Sequence, residues 1–287
     1  MKVERFSANP IIYPGMDSSL GNNINGPSLI KVPDWLPDPL GRYYLYFAHH
    51  NGTFIRLAYA DSLEGPWTIP KDGTLHLADA FCDLHVASPD VHVDDEKREI
   101  RMYYHGPVQA EGAQRSKLAV SRDGISFTAS PESLGNSYFR VFRWDGYYYA
   151  LGMPGGVLQV EGRTLELRAR HPTLFSRNMR HTAFKLDGDV LGVFYTNAGD
   201  CPEQILQASI ELTSDWMMWR ESEATPVLQS ETNYEGADMP LEPSSRGAID
   251  EPVHQLRDPA IYREGDDTFL LYSVAGEQGI AIARLIT

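Results

Sequence analysis

The side chains with the most chemistry to offer are imidazoles, carboxylates and guanidinia recurring at similar points of a repeating pattern. Of nine histidines, His49, His50, His85, His105 and His181 each stand at the edge of an apolar segment, and His254 lies just ahead of another. Asp90 follows Pro89 inside an apolar run, and Asp258 sits between Arg257 and Pro259. Asn23, Asn25, Arg140 and Arg180 enter comparable runs, while Asn197, Asp200, Glu203 and Glu277 leave them. Acids, imidazoles and guanidinia sharing one cleft bind small polar molecules and exchange protons with them. Each residue also has a bland explanation. A loop histidine is more often structural than catalytic, and Asp258 beside Arg180 or Arg257 would be a salt bridge. Because an isolated buried charge is costly, Asp90 and Asp258 must be paired or hydrogen-bonded on either reading.

The elements that must position these residues repeat five times. The first copy is GPSLIKV (26–32), RYYLYFAHH (42–50) and IRLAYADSLEGPW (55–67). The second is SPDVHV (88–93), EIRMYYHG (99–106) and SKLAVSRDGISF (116–127). YFRVFRWDGYYYALGM (138–153) with VLQVEGRTLEL (157–167) makes the third. HTAFKLDGDVLGVFYT (181–196) with ILQASIELTSDWMMW (205–219) makes the fourth, and DPAIYREGDDTFLLYSV (258–274) with GIAIARLI (279–286) the fifth. Period-two alternation marks half-buried strands, and WDG, LDGD and REGDD are hairpin turns. Meanders repeated in series bury both sheet faces by stacking radially, so the expected fold is all-β, a single five-bladed β-propeller spanning residues 1–287. A β-sandwich is the alternative. The fifth copy ends on its third strand, so an N-terminal strand must close that blade, and NPIIYPG (9–15) is the candidate. The segment 229–256, rich in Pro, Ser, Gly and acid, is a long insert of the kind that is usually functional or disordered.

Composition narrows the partners. The formal charge of -14 disfavours nucleic acid and anionic membrane, because a polyanion would be repelled. No run approaches the ~18 apolar residues of a membrane span, and MKVERFSANPIIYPG lacks the apolar core of a signal peptide, so a soluble cytoplasmic protein is expected. Cys82 and Cys201 are too few for a disulfide framework and have no metal-ligand spacing, which suggests two buried thiols.

The pattern resembles the propeller glycosidases of glycoside hydrolase families 43, 32 and 117. SPDVHV is similar to the second-blade motif whose Asp tunes the catalytic acid, a role the resemblance gives to Asp90. LRDPAIY is similar to the Arg-Asp-Pro motif of the fructosidase branch, whose Asp stabilises the transition state, although there it lies in an earlier blade. Where family 43 carries its general base the chain reads NINGPS, with Gly26 at that point, and where it carries its acid the chain reads NSYFRVF, with Ser137 and Arg140. If the chemistry is retained, its groups have moved. Asp258 can then serve as base, with the acid drawn from Glu235, Asp238 or Glu251 of the insert. By resemblance to family 117 the acid can instead be a histidine: His181, His85 or His254.

The resulting expectation is an exo-acting glycoside hydrolase for a small oligosaccharide. Asp90, Asp258, His181 and Glu251 are its candidate catalytic groups. Asn25, His49, His50, His85, His105, Asp200, Glu235 and Asp238 are candidate substrate contacts, with Arg140, Arg180 and Arg257 gripping acidic or sulfated groups. Two rivals remain. One is a non-catalytic carbohydrate-binding propeller. The other is a metal-dependent enzyme for a different substrate, with a channel cation: Zn²⁺ if imidazoles bind it, Ca²⁺ if oxygens do.

Overall fold

The computed structural model describes residues 1–153, 155–161, 166–170 and 174–286. The alternating segments are strands, and the helices among the described residues are 3-10 turns of three residues. Strand β1 (Lys2–Arg5) comes first. A first sheet takes β2 (Asn25–Lys31), β3 (Tyr43–Ala48), β4 (Phe54–Ala60) and β5 (Leu75–His76). The second takes β6 (Ala87–Asp94), β7 (Glu99–Val108) and β8 (Ala113–Ser121), with short β9 (Thr128–Ala129) and β10 (Gly135–Asn136) both paired to β8. The third comprises β11 (Arg140–Trp144), β12 (Tyr147–Gly152), β13 (Gly156–Glu161) and β14 (Glu166–Arg170). Part of the expected strand VLQVEGRTLEL, residues 162–165, lies outside the described residues. The fourth sheet comprises β15 (Met179–Asp187), β16 (Val190–Asn197), β17 (Ile205–Glu211) and β18 (Thr225–Leu228), and the fifth β19 (Arg257–Glu264), β20 (Asp267–Ser273) and β21 (Ile280–Ile286). At the β11–β12 hairpin Asp145 and Gly146 both have positive φ, as a two-residue turn matched to strand twist requires.

Apolar clusters join the sheets in order and return to the first. Tyr46 and Leu57 pack with Val91 and Tyr104, Tyr103 with Val141, Tyr149 with Val193 and Trp219, and Phe194 with Tyr272. Leu271 and Ile282 then meet Leu45 and Phe47, which completes the ring. Each fully buried aromatic or aliphatic side chain contributes about 1.5–3 kcal/mol. The architecture is that of an all-β propeller, with the first strand of each sheet next to the axis.

The outer strand of the fifth sheet is β1, antiparallel to β21. NPIIYPG does not fill that place: it makes the isolated bridge from Ile12 to Ile280, and the Asn9 side chain bonds the Ile282 backbone. Pro10 and Pro14 have no N–H to give a ladder, whereas KVER is proline-free. Arg5 fastens β1 to the insert through Glu231 and the fully buried Glu235, each at 2.8 Å. Arg5→Ala leaves Glu235 with Tyr272 and two backbone N–H donors. The expected loss is about 1.5–3 kcal/mol, measurable as a lower urea midpoint. Glu235, a candidate acid in the sequence, is thus a structural carboxylate. Cys82 is half-buried and Cys201 exposed, so the expectation of two buried thiols does not hold. Cys201 falls in the loop after β16, outside the alternation that buries side chains.

Candidate functional site

A non-helical positive φ recurs at the mouth of every inner strand: Gly26, Ser88, Tyr138, His181 and Asp258, with φ of 61, 50, 64, 54 and 48°. In four sheets a shift of register in the innermost ladder spans this residue. Left-handed backbone is uncommon for non-glycine residues and is held in place only where the surroundings over-determine it. Here the left-handed backbone turns Ser88, Tyr138, His181 and Asp258 into one cavity of about 230 Å³. Gly26 supplies no side chain, and a Cβ there would lie 3.1 Å from the Ser88 Cα.

Asn25, His50, His85, His105, Arg180, His181 and Asp258, all singled out in the sequence, share this cavity. Sequence reasoning passed over Tyr138, Gln114, Met153 and Arg246, and gave Glu277 no role although it too lines the wall. Tyr138 was findable as the residue aligned with Gly26, Ser88, His181 and Asp258. Arg246 had no such signal, since the insert that carries it has no counterpart in the other copies.

The other candidates lie elsewhere. Asp90, two residues beyond the bulge residue Ser88, lines a separate axial chamber of about 120 Å³ with Arg140 and all five inner strands. There it accepts the Val141 N–H and pairs with His92, each at 2.9 Å. Burial pushes its carboxyl up, but His92 and Arg140 outweigh that and hold it below the usual range. Arg140 gives Nε and Nη1 to the carbonyls of Thr182, Ser88 and Pro89, while its buried Nη2 has no hydrogen-bond partner among the described residues. Arg257, wholly buried, binds Glu277, Gln255 and Glu203 instead of reaching the cavity. His49 accepts the Asn51 N–H within its own turn, and His254 contacts the Met239 carbonyl. Asp200 is half-buried outside the cavity, and Asp238 and Glu251 are exposed and also apart from it.

Asp258 and Glu277 are buried carboxyls of the cavity wall. The Tyr138 hydroxyl donates to Asp258 Oδ1, and Ser273 Oγ donates to Oδ2 at 3.2 Å. Burial and then the charge of Glu277 raise the Asp258 pKa against the opposing Tyr138 hydrogen bond. His181 Nδ1 stands 3.4 Å from the Asp258 backbone nitrogen, whose N–H it can accept, and 3.5 Å from both Asp258 Oδ1 and Thr196 Oγ1. Burial, then Arg180 and Arg257, hold His181 far below an ordinary imidazole, and it stays neutral. Burial and neighbouring imidazoles lower His85 in the same way and bring His105 to about 3.

His105 Nδ1 is buried with no partner among the described residues, while its ring packs 5.4 Å from Tyr138. A buried polar group left unpaired is destabilising. His105→Phe keeps the ring contact and removes that group, so a gain of about 1 kcal/mol in thermal or urea unfolding is expected, on the low side of an unsatisfied group's cost. A loss of stability would show that the imidazole is bonded in solution.

Arg180 lines the cavity with its charge already matched: Nε and Nη2 each meet Glu203 at 2.9 Å. Its Nη1 holds the Ser245 carbonyl at 3.1 Å, which fixes the insert and places Arg246 at the mouth. Arg246 makes no ion pair among the described residues and bonds only the Arg177 carbonyl. No group of three or more His, Cys, Asp or Glu side chains among the described residues is placed to hold a metal ion.

No protein-family model matches the chain. The fold is similar to that of a family 43 beta-xylosidase/alpha-arabinofuranosidase from a compost microbial metagenome, at a TM-score of 0.68 and 12% identity over 99% of this chain and 96% of that one. It is also similar to a thermostable family 43 glycoside hydrolase (0.65, 16%, covering 92% and 90%) and to an alpha-L-arabinofuranosidase from Lactobacillus brevis (0.64, 12%, covering 97% and 92%). At such identities the likeness is one of fold. In sequence, the chain is 36% identical over 320 residues to the uncharacterized protein R118 of Acanthamoeba polyphaga mimivirus, spanning 99% of this chain and 90% of the relative. The chain therefore belongs to the family of that mimivirus protein, built on the β-propeller fold of the family 43 glycosidases.

Proposed function

We propose that the chain is a five-bladed propeller closed by β1 that hydrolyses a terminal glycosidic bond of a small oligosaccharide in the Asp258 cavity. The observation that carries this reading is Asp258 itself. It is a buried carboxyl on a cavity wall, in left-handed backbone, gripped by Tyr138 and Ser273 and raised in pKa by burial. A carboxylate tuned toward the working pH accepts a proton well. In this role it takes a proton from water as the water oxygen attacks the anomeric carbon. Each carboxylate oxygen keeps a lone pair after the Tyr138 and Ser273 bonds. The volume is below the ~300–1,000 Å³ typical of drug-sized ligands, which favours one end of a chain over its middle. Arg246, which makes no ion pair among the described residues, can read an acidic group on that sugar.

A binding-only propeller is the second reading, favoured by Gly26: with no side chain there, Asp258 and Glu277 are the cavity's carboxyls among the described residues. Incubation with aryl glycosides of xylose, arabinose, galactose and uronic acids, with product analysis and calorimetry, separates the two. Turnover lost in Asp258→Asn supports hydrolysis. Heat of binding without product supports the binding module.

A further inference from the structure

We propose that His50, oriented by Glu277, is the proton donor of this cavity, completing the pair with Asp258; the assignment rests on the hydrolase reading. Glu277 is almost fully buried and collects Arg257 at 3.0 Å, Asn23 at 2.8 Å and Asn25 at 3.2 Å. Those contacts hold a carboxylate in place. On the same carboxylate stands His50 Nδ1, at 3.3 Å from Oε2. The His50 backbone is fixed as well, its N–H donating to Asn23 Oδ1 at 2.8 Å. With Nδ1 turned to Glu277, Nε2 is the nitrogen left to a ligand. An imidazole with a carboxylate behind it is oriented and stabilised as a cation.

The four histidines of the cavity are therefore not equivalent. His181 also has a carboxylate beside Nδ1, Asp258 Oδ1 at 3.5 Å, but burial, Arg180 and Arg257 keep it neutral, and among the described residues His85 and His105 have no carboxylate partner. The charged groups acting on His50 are Glu277 and Asp258, which favour its cation, and Arg257, which opposes it. Burial also opposes the charge, yet the Glu277 contact prevails and His50 lies above an ordinary imidazole. Glu277, despite burial, lies below the ordinary carboxylate range, held there by His50 and Arg257.

The step balances without any other reagent. His50 Nε2–H gives its proton to the glycosidic oxygen, and the bond from that oxygen to the anomeric carbon breaks with its electron pair leaving on oxygen. Water forms the new bond to the carbon and loses a proton to Asp258. Afterwards His50 is neutral and Asp258 protonated, and exchange with solvent restores both. The rate falls in acid as Asp258 takes its proton, at a pH raised above the usual carboxylate value. It falls again in base as His50 loses its proton, at a pH raised above the usual imidazole value.

The first test needs no substrate: an NMR pH titration of the histidine side chains of the intact chain, with His50 assigned by its loss in His50→Gln. His50 is expected to stay protonated to higher pH than a free imidazole and to lose that shift in Glu277→Gln. A wild-type His50 titrating at or below the free value overturns the proposal, whether or not Glu277→Gln folds. The second test compares leaving groups. With a methyl glycoside of the sugar found above, His50→Gln should lower kcat/KM by ~10²–10⁴-fold, and with a dinitrophenyl glycoside, which leaves unprotonated, by less than ~10-fold. Equal losses on both overturn the donor role while leaving the hydrolase reading intact. A raised His50 with no glycoside turned over supports the Glu277-held cation and defeats the hydrolase reading instead.

Discussion

Asp258→Asn should lower kcat by ~10²–10⁴-fold, the contribution of one positioned proton-transfer group, and leave the protein no less stable at neutral pH. The sign follows from linkage. A carboxyl whose folded pKa is raised binds its proton more tightly in the folded state. Its ionisation therefore destabilises the fold progressively as pH rises through the unfolded pKa, and the penalty is complete above the folded one. Asparagine has the same shape, keeps an acceptor for Tyr138 or Ser273, and carries no charge beside Glu277. Loss of turnover with an unchanged or higher Tm separates a functional carboxyl from a structural one, as stability and activity pull in opposite directions at such sites. If the substitution instead lowers Tm and spares turnover, Asp258 is a support for His181 and Tyr138.

Glu203→Ala should produce the largest loss of stability, about 3–5 kcal/mol, because it strands the buried Arg180 and takes from Arg257 one of its two acids, leaving it Glu277. Glu203 is wholly buried, takes both Arg180 contacts at 2.9 Å, stands 3.5 Å from Arg257 and accepts the Thr196 hydroxyl at 2.7 Å. Its backbone carbonyl also receives the Leu256 N–H, where the insert rejoins the fifth sheet. Against total stabilities of ~5–15 kcal/mol this is at least about a fifth of the whole. Urea unfolding should show a lower midpoint at unchanged slope. A loss under ~1 kcal/mol, the scale of an exposed pair, would mean that water reaches the arginines. Because Arg180 and Arg257 also hold Ser245 and Gly247, the same substitution should loosen Arg246 over the cavity and raise KM.

These two carboxylates show what the residue types alone could and could not convey. Asp258 and Glu203 both sit at strand ends in polar surroundings, and the repeat places both on the same face. One faces the cavity and the other two guanidinia. Arg140 and Arg257 looked like grips for an anionic ligand, because a guanidinium near an inner strand has the right chemistry. Inside the ring, backbone carbonyls in one case and Glu203 and Glu277 in the other claim it first. Asp90 belongs to a motif that carries a resemblance, yet two residues beyond the bulge it stands in a different chamber.

What the sequence by itself determined was the repeating all-β meander, its turns, and the rim that gathers histidines and acids. Period-two burial and hairpin chemistry are local properties, written in neighbouring residues. Only the tertiary structure decided which strand closes the fifth sheet, which arginine of the cavity wall lacks an ion pair among the described residues, and that Tyr138 joins Asp258. It also distinguished the histidine backed by Glu277 from three that are not. Those outcomes depend on left-handed backbone aiming side chains from different sheets at one point. They depend equally on competition for each buried charge among partners up to 254 positions apart in the chain.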